Sequence, residues 1–223
     1  MSKDLVNVVI LSAYFLLLFG GAEVLFYYFK WKAEHTRKVV HFGTGILTFL
    51  FPIMLSHHLW VLLLCASFAV LLLMSMKFNF LNSINGVDRI TWGSLCFPLS
   101  VYLCFAAKVY FQQDLLFYLP MLILAISDPA AALIGKASGW RPYQVWGQTK
   151  TWAGSMAFFV SAFCLTFGFH RVFQHHSGID ALIFALFVGI FSALTEAFST
   201  KGWDNLSIPI SVILFEWLLD KFL

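Results

Sequence analysis

The sequence predicts an all-α fold: a polytopic transmembrane bundle of about seven or eight spanning helices, forming a single integral membrane domain over residues 1–223. Three observations predict it. The chain is 61% hydrophobic and only 11% charged, with a mean hydropathy of +0.84. A soluble domain carries about 25% charged residues, so this much apolar surface needs lipid as its solvent. The apolar residues also come in runs close to the roughly 20 residues that cross a hydrocarbon core. Finally, the loops between runs are short and leave no length for a soluble domain.

Eight runs are spanning candidates. Leu5 to Phe29 follows a short polar start at Met1 to Asp4. It is too long for a signal-peptide core and lacks a cleavage site, so it is expected to remain as a helix. Val39 to Leu55 follows a charged stretch, and Leu59 to Met76 is almost uniformly aliphatic. Lys77 to Arg89 is polar enough to lie at the interface. Gly93 to Phe111 and Leu115 to Leu133 come next, the latter carrying Asp128 near its end. Trp152 to Phe173, Ala181 to Phe198 and Leu206 to Phe222 complete the set. The 26 phenylalanines suit lipid-facing helices. Cys65, Cys96, Cys104 and Cys164 lie in apolar runs without metal-ligand spacing, and are expected as small packing residues.

Assigning loops alternately to two sides separates the charges. One side holds Lys30, Lys32, Arg37, Lys38, Lys77, Arg89, Lys136, Arg141, Lys150 and Lys201; the other, with both termini, holds Lys3, Lys108, Arg171 and Lys221. The positive-inside rule puts the first side in the cytoplasm and both termini outside. The net charge of +3 is spread out, which argues against a nucleic-acid partner.

The basic side also collects the unusual polar clusters. Glu34-His35-Thr36-Arg37-Lys38 precedes His41, and Arg37 and His41 share a helix face. Snorkelling to headgroups explains the basic residues but not the imidazole. Ser127-Asp128-Pro129 lies in an apolar run, where an acid is costly and marks a functional site. Gly135, Lys136, Gly139 and Arg141 follow, then Lys150-Thr151 and Gly154-Ser155. Glycines admit a bulky anion, the cations suit phosphates, and a helix start at Lys150-Thr151 offers amides to anions. These parts suit a nucleoside triphosphate with a divalent ion, since Mg2+ is held by one or two carboxylates plus phosphate oxygens. The third cluster is Glu196, Lys201, Gly202, Asp204, Asn205 and Pro209, in which Asp204 or Asn205 alone would read as an N-cap. Glu23, within the first run, is equally open to a structural pair and to a catalytic role, whereas Glu216, His57-His58 and His175-His176 receive no chemistry. No standard phosphate loop, dinucleotide fingerprint, HExxH or GxSxG is present.

Arg37-Lys38-Val39-Val40-His41 resembles the RKxxH element of the CTP-dependent polyprenol kinase family, which includes dolichol kinase, phytol kinase and a CTP-dependent diacylglycerol kinase. Asp128-Pro129-Ala130-Ala131 with Gly135, then Lys150-Thr151 with Gly154-Ser155, resembles its cytidine-nucleotide motif. Asp204-Asn205 with Pro209 resembles its closing DNxxxP element, and Glu196 matches an acid just before it. The resemblance covers residues 34–223, leaving 1–30 as a helix that can be peripheral. Ala153 departs from the pattern, standing where an acid is common.

The resemblance implies a membrane kinase that moves the terminal phosphate of CTP to a lipid alcohol. The alcohol would be phytol, another polyprenol or diacylglycerol, and Mg2+ the cofactor. Asp128, Lys150, Glu196 and Asp204 are then expected as catalytic residues, with Asp128 and Asp204 on the metal. Asp128 is equally open to a role as base on the hydroxyl. Arg37, Lys38, His41, Gly135, Lys136, Gly139, Lys150, Thr151, Gly154 and Asn205 are expected at the nucleotide. CDP-lipid synthesis of the phosphatidate cytidylyltransferase kind and a small transporter are the alternatives. A transporter would line a path from both sides with polar groups, whereas these crowd one face.

Overall fold

A computed structural model describes residues 3–86 and 92–222. Among them are α1 (Lys3–Tyr27), α2 (Ala33–Thr48), α3 (Phe51–Met54), α4 (His58–Phe78), α5 (Asn82–Asn85), α6 (Gly93–Phe111) and α7 (Leu115–Ser138). A hairpin of β1 (Pro142–Val145) and β2 (Gln148–Thr151) follows, then α8 (Trp152–Val172), α9 (Gly178–Phe198) and α10 (Asp204–Leu219). The all-α bundle stands. Six of its helices (α1, α4, α6, α7, α8 and α9) are long and apolar enough to cross a membrane; α2 and α10 are shorter, at 16 residues each. Arg89, expected at the interface, lies outside the described residues.

Several boundaries differ from expectation, and the Val39 to Leu55 run is split, α2 ending at Thr48 and α3 following it. α2 begins at Ala33, six residues before Val39, because its polar first turns face a cavity rather than lipid. α7 runs through Pro129 to Ser138, so Asp128 is ten residues from the helix end, about 15 Å along the axis. The hairpin was not foreseen. Its turn is Trp146-Gly147, with φ of 48° and 77°, the positive pair that a two-residue turn needs to match strand twist.

α7 is the central helix. Half of its apolar window is buried, against 22% to 39% for the other spans. It packs on α8, α10, α6 and α2. Its Leu116, Phe117, Leu119, Met121, Ile123 and Leu124 are fully buried, whereas Leu17, Ile53 and Ile179 on other helices point outward. Lipid tails are as apolar as leucine, so burial alone does not hold such helices together; close packing of small residues and polar contacts does. A Cβ on Gly45 of α2 would sit 2.7 Å from the Cβ of Ala125 on α7. Gly154 of α8 and Gly135 of α7 abut in the same way, a Cβ on Gly154 falling 2.9 Å from the Ala131 carbonyl.

Polar contacts tie the bundle at both ends. At one end Asn7 donates to the Met54 carbonyl at 2.6 Å and Gln113 to Asp220 at 2.9 Å. There His170 also meets the Glu216 carboxylate at 3.1 Å and His176 Nδ1 at 3.1 Å, under a ring stack with Phe184. At the other end Trp92 N–H donates to the Lys201 carbonyl at 2.8 Å and Asn205 Nδ2 to the Gly93 carbonyl at 2.8 Å, joining the starts of α6 and α10. This second end is ringed by exposed Trp31, Trp140, Trp146, Trp152 and Trp203, as expected of a membrane–water interface.

The glycine contacts yield a paired prediction. Gly45→Ala overpacks α2 against α7 and should cost about 1–3 kcal/mol. Gly20→Ala, with nothing within 4 Å of its Cβ, should be neutral or add up to about 1 kcal/mol of helix stability. Thermal unfolding in detergent compares the two; equal effects would refute the close approach at Gly45.

Candidate active site

The polar clusters separated in sequence meet at the tryptophan-ringed end. A cavity of about 430 Å³ opens there, lined by the start of α2, the second half of α7, β2, the start of α8, the end of α9 and the turn into α10. Arg37, Lys38, His41, Asp128, Gly135, Lys136, Lys150, Thr151, Gly154, Glu196, Asp204 and Asn205 all line it. Of the expected residues, Gly139 alone does not. It caps α7 in the left-handed conformation at φ 58°, where its lack of a Cβ serves the chain reversal. Arg141 also turns away, its guanidinium 5.0 Å from the Trp140 ring. Ala153 is not among the lining residues, so an acid missing there leaves no gap in the wall.

Depth grades the polarity. Lys136 and Glu34 pair at 3.4 Å near the mouth, with side chains 68% and 47% exposed. Asp128 and His41 sit at the floor. His41 Nε2 lies 3.3 Å from the Leu124 carbonyl and 3.9 Å from Asp128 Oδ2. A carbonyl only accepts, so that contact puts a proton on Nε2 and leaves Nδ1 of the neutral ring as an acceptor. No hydrogen bond reaches the Asp128 carboxylate among the described residues. Asp204, Glu196, Lys150 and Lys38 all lie within electrostatic reach of it.

On one wall Lys150 donates to both the carbonyl and the Oε1 of Glu196, the latter at 2.7 Å. Both side chains are largely buried, at 15% and 11% exposure. Lys150 is placed by the hairpin register, which pairs it with Tyr143, and by Thr151, whose Oγ1 caps α8 by accepting from Gly154 N–H at 3.1 Å. Glu196 Oε2 is buried without a partner among the described residues. A buried orphan acceptor is costly and suits a cationic or hydrogen-bonding ligand. Asp204 opens α10 and accepts from Asn205 N–H at 3.0 Å. Lys38 and Lys201 line the cavity with no ion pair among the described residues.

The donor set bears on a metal. Among the described residues no group of three His, Cys, Asp or Glu side chains is arranged to hold an ion by itself. Asp128 with its open carboxylate, and Asp204, fit Mg2+ only as a sparse pair completed by ligand oxygens, which is the usual manner for this ion.

Sequence reasoning gave no role to four contributors. Gln148 and Thr149 line the cavity from the hairpin. Gly93 lets α6 approach closely: a Cβ there would lie 2.9 Å from both Arg37 Nη2 and Asn205 Nδ2. Thr36, fully buried, donates to the Ser83 carbonyl at 2.7 Å and ties α2 to α5. Of these, only the X-Gly turn of the hairpin carried a sequence signal. Glu23 proves structural, its Oε1 accepting from Ser83 N–H at 2.9 Å.

Comparison with known proteins agrees with this geometry. The chain is 32% identical over 186 residues to a phytol kinase from Synechocystis sp., covering 83% of this chain and 79% of the relative. No family model matches the chain, and no solved structure does either. The identity and coverage place the chain in the polyprenol and phytol kinase family, and it is an integral multi-pass membrane protein.

The buried Lys150–Glu196 pair generates a stability test. Lys150→Met alone strands a buried carboxylate and should cost about 3–5 kcal/mol, whereas Lys150→Met with Glu196→Met should recover most of the loss. Thermal unfolding of the two variants decides; a double variant no more stable than the single would show that the groups are not coupled.

Proposed function

We propose that this member of the polyprenol and phytol kinase family transfers the terminal phosphate of CTP to a lipid alcohol, releasing CDP and a lipid monophosphate. The observation that carries the reading is the floor of the cavity. There Asp128, about 15 Å along α7 from its end, stands beside His41 in a cavity also lined by Arg37, Lys38, Lys136, Lys150 and Lys201. The similarity to a phytol kinase supports the same chemistry. The acceptor is then an isoprenoid alcohol of phytol or polyprenol kind, or diacylglycerol.

In this reading the lipid oxygen forms a bond to the terminal phosphorus while the bond to the bridging oxygen of the CTP diphosphate breaks. Such transfer relies on positioning and on stabilising charge over the equatorial oxygens. Lys38, Lys136 and Lys201 face the cavity as point charges for phosphate, with Arg37 at its edge. Lys150, held by Glu196, presents its ammonium from a fixed place. Gly135 and Gly154 let α7 and α8 abut at the cavity wall, which sets the start of α8 beside the cavity, where free first-turn amides favour phosphate. Asp128 and Asp204 would hold Mg2+, which neutralises developing phosphate charge when bound. Where Asp128 is not a ligand, it takes the hydroxyl proton; His41 Nδ1 is the neighbouring acceptor. The cavity opens to the cytoplasm, following the ten-to-four bias of basic residues, and both termini lie on the other side.

Purified protein in detergent, given CTP labelled on its terminal phosphate, should label a long-chain alcohol. Asp128→Asn should reduce turnover by about 10²–10⁴-fold. Undiminished turnover in that variant would remove Asp128 from the chemistry. Label arriving from the α-phosphate as a CDP-lipid would convert the activity to cytidylyl transfer.

A further inference from the structure

The hairpin between α7 and α8 carries two glutamines, and their amides are used differently. The strands pair antiparallel, with Gln144 opposite Thr149 and Val145 opposite Gln148. Gln144 Nε2 donates to Thr149 Oγ1 at 2.8 Å, and both residues are exposed. Gln148 is half-buried and lines the polar cavity, and its side chain makes no hydrogen bond among the described residues. We propose that the Gln148 carboxamide pairs with the hydrogen-bonding edge of the nucleobase, which makes Gln148 a specificity-determining residue of this cavity. The inference rests on the nucleotide-dependent kinase reading and adds the part that recognises the base.

Three observations place the base there. First, side chains two apart on a strand share a face. Gln148 and Lys150 are both half-buried and both line the cavity, whereas Thr149 between them is exposed and its hydroxyl accepts from Gln144. The amide and the ammonium thus stem from positions about 7 Å apart on one strand face. Second, the strand climbs away from the floor. A Cβ on Gly154 would fall 2.9 Å from the Ala131 carbonyl, and one on Gly135 would fall 2.8 Å from Thr151 Oγ1. Going back from Gly154 to Thr151 therefore moves one turn further along α7 from Asp128. Gln148 lies three residues beyond Thr151, about 10 Å of strand. A nucleotide with its terminal phosphate at Asp128 and its phosphates on Lys150 carries its base on that outer side. Third, the charges divide the labour. Arg37, Lys38, Lys136, Lys150 and Lys201 supply the cations that phosphates need. Gln148 is neutral and offers a donor and an acceptor side by side in one plane. Cytosine presents an amino donor beside a ring-nitrogen acceptor, and one carboxamide answers that pair in bidentate fashion. No bond within the protein has to break to free the amide.

The test compares wild type, Gln148→Leu and Gln144→Leu, purified in detergent. It measures kcat and KM with CTP, UTP and ATP, and inhibition by inorganic tripolyphosphate, which has phosphates and no base. Gln148→Leu should raise the KM for CTP about tenfold, the size of one neutral hydrogen-bonded pair. It should leave kcat and the tripolyphosphate inhibition constant unchanged, and discrimination among the three nucleotides should shrink. Gln144→Leu, on the other face of the same hairpin, should change none of these. An unaltered KM for CTP in Gln148→Leu would overturn the proposal. So would tripolyphosphate inhibition weakened in step with CTP, which would make Gln148 a phosphate contact, or an equal loss in Gln144→Leu, which would make the effect one of hairpin stability. Equilibrium binding of labelled CTP separates this inference from the reading beneath it. Binding that weakens tenfold in Gln148→Leu, in a protein that phosphorylates no alcohol, would uphold the base contact and sink the kinase reading. Phosphate transfer with tripolyphosphate bound as tightly as CTP would sink the base contact and leave the kinase reading standing.

Discussion

Three carboxylates share a cavity sunk into a bundle made to dissolve in lipid, and that burial governs the rest of the site. Asp128, Glu196 and Asp204 sit within reach of one another's fields. Desolvated like charges repel, and each costs several kcal/mol unless cations or hydrogen bonds answer it. Lys150 answers Glu196 directly. Asp128 and the second oxygen of Glu196 are left without hydrogen-bond partners among the described residues. The arrangement is therefore electrostatically incomplete in the protein alone, and under the proposed function a polyphosphate with its cation would complete it. Buried acids unpaired by the protein are poor stabilisers and good ligands, so stability has been conceded where a substrate is to bind.

The bundle makes that concession tolerable by rigidity elsewhere. α7 carries Asp128 and is also the helix most enclosed by the others. Glycine contacts bring α2 and α8 against it on two sides. Asn205 and the Lys201 carbonyl bind α6 to the turn before α10, so that the closing element of the site is fixed to the start of another span. The opposite end is tied independently by the buried His170–Glu216 contact and by polar bonds among the loops. Positions along the cavity thus follow from helix packing, while chemistry is confined to one end.

Much of this was legible in the sequence because lipid imposes a simple rule on composition. Uniformly apolar runs gave α4, α6, α8 and α9 nearly to the residue. The rule misled where a helix faces a polar cavity: α2 starts six residues early because Glu34 to Lys38 are helical without being lipid-exposed. It fell short again at the end of α7, expected at Leu133 and found at Ser138, because the last turns carry Gly135 and Lys136 and border the cavity rather than lipid. That the motif residues would gather in one place was legible through their order, and Gly139 and Arg141 show the limit of that reading. Both have the residue type of a phosphate contact, yet local geometry uses one as a helix cap and sets the other on a tryptophan. The His170, His176 and Glu216 cluster was illegible, because His170 and Glu216 lie 46 residues apart and only packing joins them. The same holds for a small apolar cavity lined by Phe15, Phe19, Phe51, Phe68 and Phe97, whose rings come from four helices and carry no spacing signal.

The central claim is that segments around Arg37, Asp128, Lys150 and Asp204 grip one metal-bound polyphosphate. An experimental structure of the protein with Mg2+ and a non-hydrolysable CTP analogue tests it most directly. The account predicts phosphate density against Lys150 and the start of α8, with the ion between it and the Asp128 carboxylate. A nucleotide bound at the opposite end near His170, or one whose phosphates lie away from both Asp128 and Lys150, would contradict it.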